Sequence, residues 1–189
     1  MNSYDFDKTI FYPDSSVCFY KYCLKKYPFA ICRTLPGTFT KAVKYAAKKI
    51  DTKELKEQLF SFLQYLPNID SAVEEFWEEN MQGIGQWYLE QKKDDDLIIS
   101  ASPYFLLYPV CRKLGVSLIA TPMDKKTGKI EGKNCHDSEK VRRFYEAYPD
   151  GKTENFYSDS LSDSPMAEIA DNAWMVTKHK LSPWPNKQA

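Results

Sequence analysis

The distribution of apolar residues changes character twice along the chain. Residues 3–12, SYDFDKTIFY, form a short apolar run interrupted by two acids, which fits a buried strand leading into a loop. Pro13-Asp14-Ser15-Ser16 follows, with small polar side chains that accept hydrogen bonds from free backbone N–H groups, the chemistry of a helix start. From there to about residue 91 the period is helical. Val17, Tyr20, Cys23 and Leu24 predict a helix ending near Pro28, and Pro36-Gly37 predicts a turn. Leu55, Leu59, Phe62, Leu63 and Leu66 share one helical face. Val73, Phe76, Trp77, Ile84, Trp87 and Tyr88 repeat the pattern after a break at Pro67-Asn68.

Past the charged run Lys92-Lys93-Asp94-Asp95-Asp96 the pattern becomes an alternation. LIIS (97–100) is a compact apolar strand, 103–114 a helix closed by Gly115, and 116–120 a second strand. Thr127-Gly128-Lys129 is a turn, and 138–148 a helix with Val141, Phe144, Tyr145 and Tyr148 on one side. Asn155-Phe156-Tyr157 is a short strand. A helix capped by Ser164, with Pro165 in its first turn, runs to Ala170, and 174–177 is the last strand. Strands alternating with helices predict a parallel sheet built from crossovers. The first strand needs the later ones as partners, so the helical block reads as an insertion. The expected architecture is an α/β core of residues 1–14 and 92–189 with a helical block, 15–91, packed over it. Hinges are expected near Pro13 and residues 92–96.

Composition narrows the class. A chain of 189 residues fits one globular domain with an inserted subdomain. Lys+Arg and Asp+Glu both number 26, so no global field draws nucleic acid or anionic lipid, and neither nucleic acid nor a membrane is expected as a partner. Hydrophobic content of 43% and aromatic content of 15% argue against disorder. Five cysteines, an odd number in a chain too large to need a disulfide framework, predict a reducing, cytoplasmic setting. No run approaches membrane-spanning length. The aromatics of the inserted block, Phe39, Phe62 and Trp77 among them, read as its core. Arg33, Lys41, Lys44, Lys48 and Lys49 read as a solvated face. Cys18, Cys23 and Cys32 lack metal-site spacing and read as packing residues.

The chemistry sits where strands end. Doubly wound sheets bind ligands beyond the carboxyl ends of their strands. Four segments put polar groups there: Asp5-Phe6-Asp7-Lys8-Thr9, Ser100-Ala101-Ser102, Lys140 near a helix start, and Asp159 with Asp163. Strand alternation turns Asp5 and Asp7 to one side and Phe6 to the other. Carboxylates this close raise one another's pKa unless a cation lies between them. Mg²⁺ is the natural partner for oxygen-only ligands. His136, four residues before Lys140, falls near the site, and His179 near the C-terminus; neither forms a catalytic dyad.

These segments carry a resemblance. DFDKT at 5–9, Ser100 closing LIIS, Lys140 in DSEKVRR and the run SDSLSD at 158–163 occur in the order and spacing of the haloacid dehalogenase-like superfamily of hydrolases. The chain resembles in particular the branch similar to phosphoserine phosphatase, with a helical cap after the first motif. The resemblance implies a Rossmann-like core and a Mg²⁺-dependent phosphatase acting on a small phosphorylated metabolite, as a monomer or homodimer. It implies Asp5 as the nucleophile that becomes an aspartyl-phosphate, and Asp7 as acid and then base. Ser100, the Ala101 N–H and Lys140 would hold phosphoryl oxygens. Asp5, the Asp7 carbonyl and Asp159 would hold Mg²⁺, with Thr9 and Asp163 behind them.

The sequence departs from the family pattern in places. Ser158 and Ser160 stand where Gly is usual, and Ser162 where Asn is common. Ser-Ala-Ser replaces Ser-Gly-Gly, and IFYPD after Thr9 lacks an acid to meet a substrate amino group. Two rivals stay open: a phosphotransferase or mutase of the same superfamily, and a binding or regulatory protein that lost turnover.

Overall fold

The structure, a computed structural model, describes residues 1–178 and 180–185; His179 lies outside them. Six strands form one sheet in the order β3-β2-β1-β4-β5-β6. These are β1 (Ser3–Tyr4), β2 (Leu97–Pro103), β3 (Ser117–Thr121), β4 (Thr153–Ser158), β5 (Ala170–Thr177) and β6 (Lys180–Pro183). The first five are parallel, and β6 pairs antiparallel with β5. The sequence pattern stopped at β5; β6 is an edge strand with every residue exposed, so it carries no apolar signal.

β1 pairs β2 and β4 at only two positions each, Ser3 with Leu97 and Phe156, Tyr4 with Ile98 and Tyr157. So short a strand persists because it is central and buried on both faces. Alternation divides the core. Tyr4, Ile98, Tyr157 and Val176 face one layer, with Leu106, Leu107 and Val110 of α6 (Tyr104–Leu114) and the aromatics of the insertion. Leu97, Ile99 and Phe156 face the other, with Phe144 of α7 (Ser138–Ala147), Met166 and Ala167 of α8 (Ser164–Ile169), and Trp184. Gly115 closes α6 at φ 71°, the left-handed conformation a glycine adopts without penalty.

Between β1 and β2 lie α1 (Ser15–Lys26), α2 (Pro28–Ala46), α3 (Thr52–Phe60), α4 (Ile69–Asn80) and α5 (Gln86–Gln91). One buried cluster joins them to the sheet: Phe6 and Phe11 pack on Trp77, whose indole N–H donates to Leu106 O (2.6 Å). The two chain crossings are also tied. Gly85 N–H donates to Ile10 O (2.6 Å) and Tyr12 N–H to Gly83 O (3.0 Å). A Cβ on Gly83 would lie 2.5 Å from the Phe11 ring, so this close approach requires glycine.

Three local expectations are corrected. Pro36-Gly37 lies inside α2 rather than at a turn. The proline removes the N–H that would meet Cys32 O, yet the helix continues on both sides of it, and Gly37 lets Gln58 of α3 approach. The single face of residues 55–66 breaks into α3 and a 3-10 helix (Ser61–Tyr65), and that of 73–88 into α4 and α5. α1 buries Ser15, Ser16, Phe19 and Cys23, leaving Val17 and Leu24 exposed.

Candidate active site

The site grows from the end of β1. Asp5 N–H donates to Tyr157 O (2.8 Å), extending the strand by one residue. The chain then folds tightly: Phe6 O accepts from Ile10 N (3.1 Å) and Phe11 N (3.0 Å), and Lys8 takes φ 57°. Burial of Phe6 in the aromatic core leaves Asp5 and Asp7 lining a pocket. One Asp7 oxygen accepts from Ser15 N–H (2.6 Å) in the first turn of α1, and the other from the Ser102 hydroxyl (2.5 Å). The Ser15 and Ser16 hydroxyls also touch Ser102, at 3.3 and 3.1 Å.

β2 supplies the next wall. Its register with β3 shifts between Ser100 and Pro103, which turns Ser100, Ala101 and Ser102 toward the pocket. Ser100 Oγ accepts from Ser102 N–H (3.1 Å).

Lys140 enters from α7. Glu139 is held by Arg142 and Arg143, and Arg143 donates to Ala120 O at the end of β3, fixing the helix to the sheet. Lys140 is 1% exposed and bridges two carboxylates: Asp5 Oδ1 at 2.6 Å and Asp163 Oδ2 at 2.8 Å. Asp5 Oδ2 accepts no hydrogen bond from the described residues. Asp163 Oδ2 also accepts from Ser158 Oγ (2.7 Å), and the backbone N–H of Asp159 donates to Thr9 Oγ1 (3.0 Å). Asp163, not Ser164, is the residue before α8, and its side chain serves Lys140 instead of capping.

The ends of these segments meet in one pocket of about 380 Å³. Asp5, Asp7, Ser100, Ala101, Lys140, Asp159 and Asp163 line it, with Lys8, Asp14 and His136; the insertion adds Val17, Thr52, Leu55, Lys56 and Leu59. Thr9 stands behind the wall, fully buried. Five carboxyl groups against three lysines leave the lining two positive charges short of balance. The acids register this. Burial pushes Asp5 up to about 7, with Lys140 opposing and Asp163 and Asp7 adding. Burial and Asp14 raise Asp7 against its serine donors, and burial with Asp163 raises Asp159 against Lys8. Burial works against the Lys140 charge, but Asp5 and Asp163 outweigh it and keep the ammonium protonated.

Among the described residues no three acidic, histidine or cysteine side chains gather into a self-sufficient metal cage. The donor set fits Mg²⁺ on other grounds. Its donors are oxygens only, it is short by the charge of one divalent cation, and an ion that keeps several waters needs few carboxylates.

One contributor is not visible in the sequence pattern. Lys56 of α3 reaches Ala101 O (2.8 Å) and Asn134 Oδ1 (3.2 Å), and burial lowers its pKa while Asp7 and Asp14 oppose. It adjoins Leu55 on an amphipathic helix and reads like any flanking lysine. Ser102 falls in the polar segment expected after LIIS, but its role as a donor to Asp7 emerges only in the fold.

A family model, haloacid dehalogenase-like hydrolase, matches residues 3–168, and the chain belongs to that family. Protein CicA of Caulobacter vibrioides is 25% identical, over 89% of this chain and 82% of its own. A Bordetella pertussis Tohama I protein described as of unknown function superposes with a TM-score of 0.75 at 20% identity, covering 98% of this chain and 91% of that one. A phosphoserine phosphohydrolase-like protein from Francisella tularensis SCHU S4 gives 0.60 at 15% identity, covering 95% and 88%. The fold is thus that of the phosphoserine phosphatase-like members of the family.

Proposed function

We propose that the protein is a Mg²⁺-dependent phosphatase that hydrolyses a small phosphate monoester through an aspartyl-phosphate, with residues 15–91 as the cap over the core. The observation that carries this reading is the Lys140 bridge. It fixes one oxygen of Asp5, a residue that lines the pocket, and leaves the other, Oδ2, without a hydrogen-bond donor among the described residues.

Asp5 Oδ2 attacks phosphorus, the bond to the ester oxygen breaks, and Asp7 gives its proton to the departing alkoxide. Asp7, now ionised, takes a proton from water; the water oxygen attacks phosphorus and the Asp5–phosphorus bond breaks, releasing inorganic phosphate. Ionised Asp7 is the form its two donors favour, whereas burial favours the acid, so the group is poised for both roles. Ser100 and Lys140 orient phosphoryl oxygens. Bound between Asp5, Asp159 and the Asp7 carbonyl, Mg²⁺ would supply positive charge for the phosphoryl oxygens. Val17, Leu55 and Leu59 offer the leaving group an apolar wall, and Lys56 meets anionic charge beside it.

The test is release of phosphate from p-nitrophenyl phosphate and a panel of phosphate esters. Mg²⁺-dependent turnover that EDTA and Asp5→Asn abolish supports the reading. No turnover across the panel refutes it in favour of a binding protein. Transfer to an added alcohol in place of water identifies a phosphotransferase.

A further inference from the structure

The neutrality of the whole chain conceals a local imbalance. Residues 15–50 contain eight Lys and Arg and no Asp or Glu. They form α1, α2 and the turn after α2. α2 buries Ala30, Ile31 and Thr34 on one side. Its opposite side carries Phe29, Cys32, Leu35, Phe39 and Val43, spaced three or four apart and therefore in one stripe about 21 Å long. Expected as core, Phe39 is 73% exposed; Phe29 is 85% and Val43 54% exposed. A helix with one apolar face packed inside and a second facing outward has a surface made to be covered.

The cations identify the cover. Lys44, Lys48 and Lys49, at and beyond the end of α2, are exposed and have no acidic partner among the described residues. Among the described residues, the acid partners of this segment are Glu54 for Lys41 and Glu75 for Lys26. A second copy of the chain is disfavoured, because a twofold contact would oppose two acid-free basic segments. Nucleic acid would take the lysines but leave the aliphatic stripe in water. An anionic lipid surface takes both: headgroup phosphates meet the lysines, and the acyl boundary takes the Phe, Leu and Val side chains. No helix among the described residues is long and apolar enough to cross a membrane, so the contact is one of lying on the surface.

We propose that the outward face of α2 docks the protein on an anionic lipid surface through Phe29, Leu35, Phe39 and Val43, with Lys44, Lys48 and Lys49 on the headgroups. The test is co-sedimentation of the full chain with vesicles of phosphatidylcholine alone or with about 30% phosphatidylglycerol. Binding is expected to the anionic vesicles only, falling at least tenfold when salt rises from about 0.1 to 0.5 M. Phe29→Ser/Phe39→Ser and Lys44→Glu/Lys48→Glu/Lys49→Glu should each weaken it by roughly tenfold or more. Both leave hydrolysis of p-nitrophenyl phosphate in solution unchanged, since none of these side chains lines the pocket. Asp5→Asn keeps full vesicle binding, which separates this proposal from the catalytic one. Absence of binding to anionic vesicles at low salt overturns it, as does equal binding by wild type and both variants. A dimer lost in the Phe variant, without vesicle binding, also overturns it and assigns the face to a second copy.

Discussion

Lys140→Met tests the centre of the site. The ammonium is 1% exposed and lies 2.6 and 2.8 Å from two buried carboxylates. Methionine matches the stem but removes both charge-assisted hydrogen bonds, leaving Asp5 and Asp163 facing each other. Stranding buried charge by removing one partner costs about 3–5 kcal/mol. For a chain of this size that is a fall in Tm of roughly 6–20 °C. The cost depends on pH, because the stranded acids escape it by binding protons. The carboxyl of Asp5 already stands above its ordinary value with Lys140 present, and losing the lysine raises it further. An acid with a raised folded-state pKa contributes stability that is present below its ordinary pKa and lost as pH rises through the folded value. The variant should therefore lose about 3–5 kcal/mol near pH 8 and roughly 1–2 kcal/mol less than that near pH 5. Urea unfolding without metal at both pH values measures this, and Asp163→Asn added to Lys140→Met should restore part of the loss. Equal destabilisation at the two pH values, or less than about 1 kcal/mol at pH 8, would show that the bridge is not a desolvated charge pair.

Three further outcomes follow from the same geometry. Mg²⁺ should raise Tm more at pH 8 than at pH 5.5, because below about 7 the Asp5 carboxyl holds a proton that the cation must displace; equal shifts would remove Asp5 from the metal site. Ser102→Ala removes a donor that favours ionised Asp7, so the acidic limb of the kcat–pH profile should move to higher pH; an unmoved limb would mean that the hydroxyl does not position the acid. Lys56→Met should raise KM about tenfold, the equivalent of ~1.4 kcal/mol, with a smaller change in kcat, and unaltered steady-state kinetics would take Lys56 out of substrate binding.

The polar ends of β1, β2 and β4 were legible because each motif is local: Asp5 and Asp7 are two apart on a strand, and Asp159 and Asp163 lie in one loop. Their meeting point was legible because parallel strands deliver their carboxyl ends to one edge. What depends on long-range packing was not. Pro36 reads as a breaker until the packing of α2 on α3, with Gln58 against Gly37, is known. Phe39 reads as core because hydrophobicity carries no sign of which face of α2 is covered. β6 has no buried residue to announce it. Lys56 and Ser102 acquire meaning only once α3 and the β2 bulge bring them to the pocket.

The serine-rich fourth motif illustrates the same limit and bears on the rival reading of a protein without turnover. As sequence, Ser158, Ser160 and Ser162 look like lost glycine flexibility. In the fold each hydroxyl is used. Ser158 donates to Asp163 and accepts from the N–H of Ser160, and the Ser160 hydroxyl accepts from the N–H of Ser162 and meets its hydroxyl at 2.9 Å. The chain of contacts then runs from Ser158 through Asp163 and Lys140 to Asp5. A loop relaxed by loss of catalysis would have no reason to end its hydrogen bonds on Asp163, one of the two carboxylates of a buried lysine bridge. Ser158 holds Asp163 where Lys140 meets it, and Ser160 and Ser162 brace that loop, so the serines count against the reading that the loop has decayed and are consistent with the proposed phosphatase.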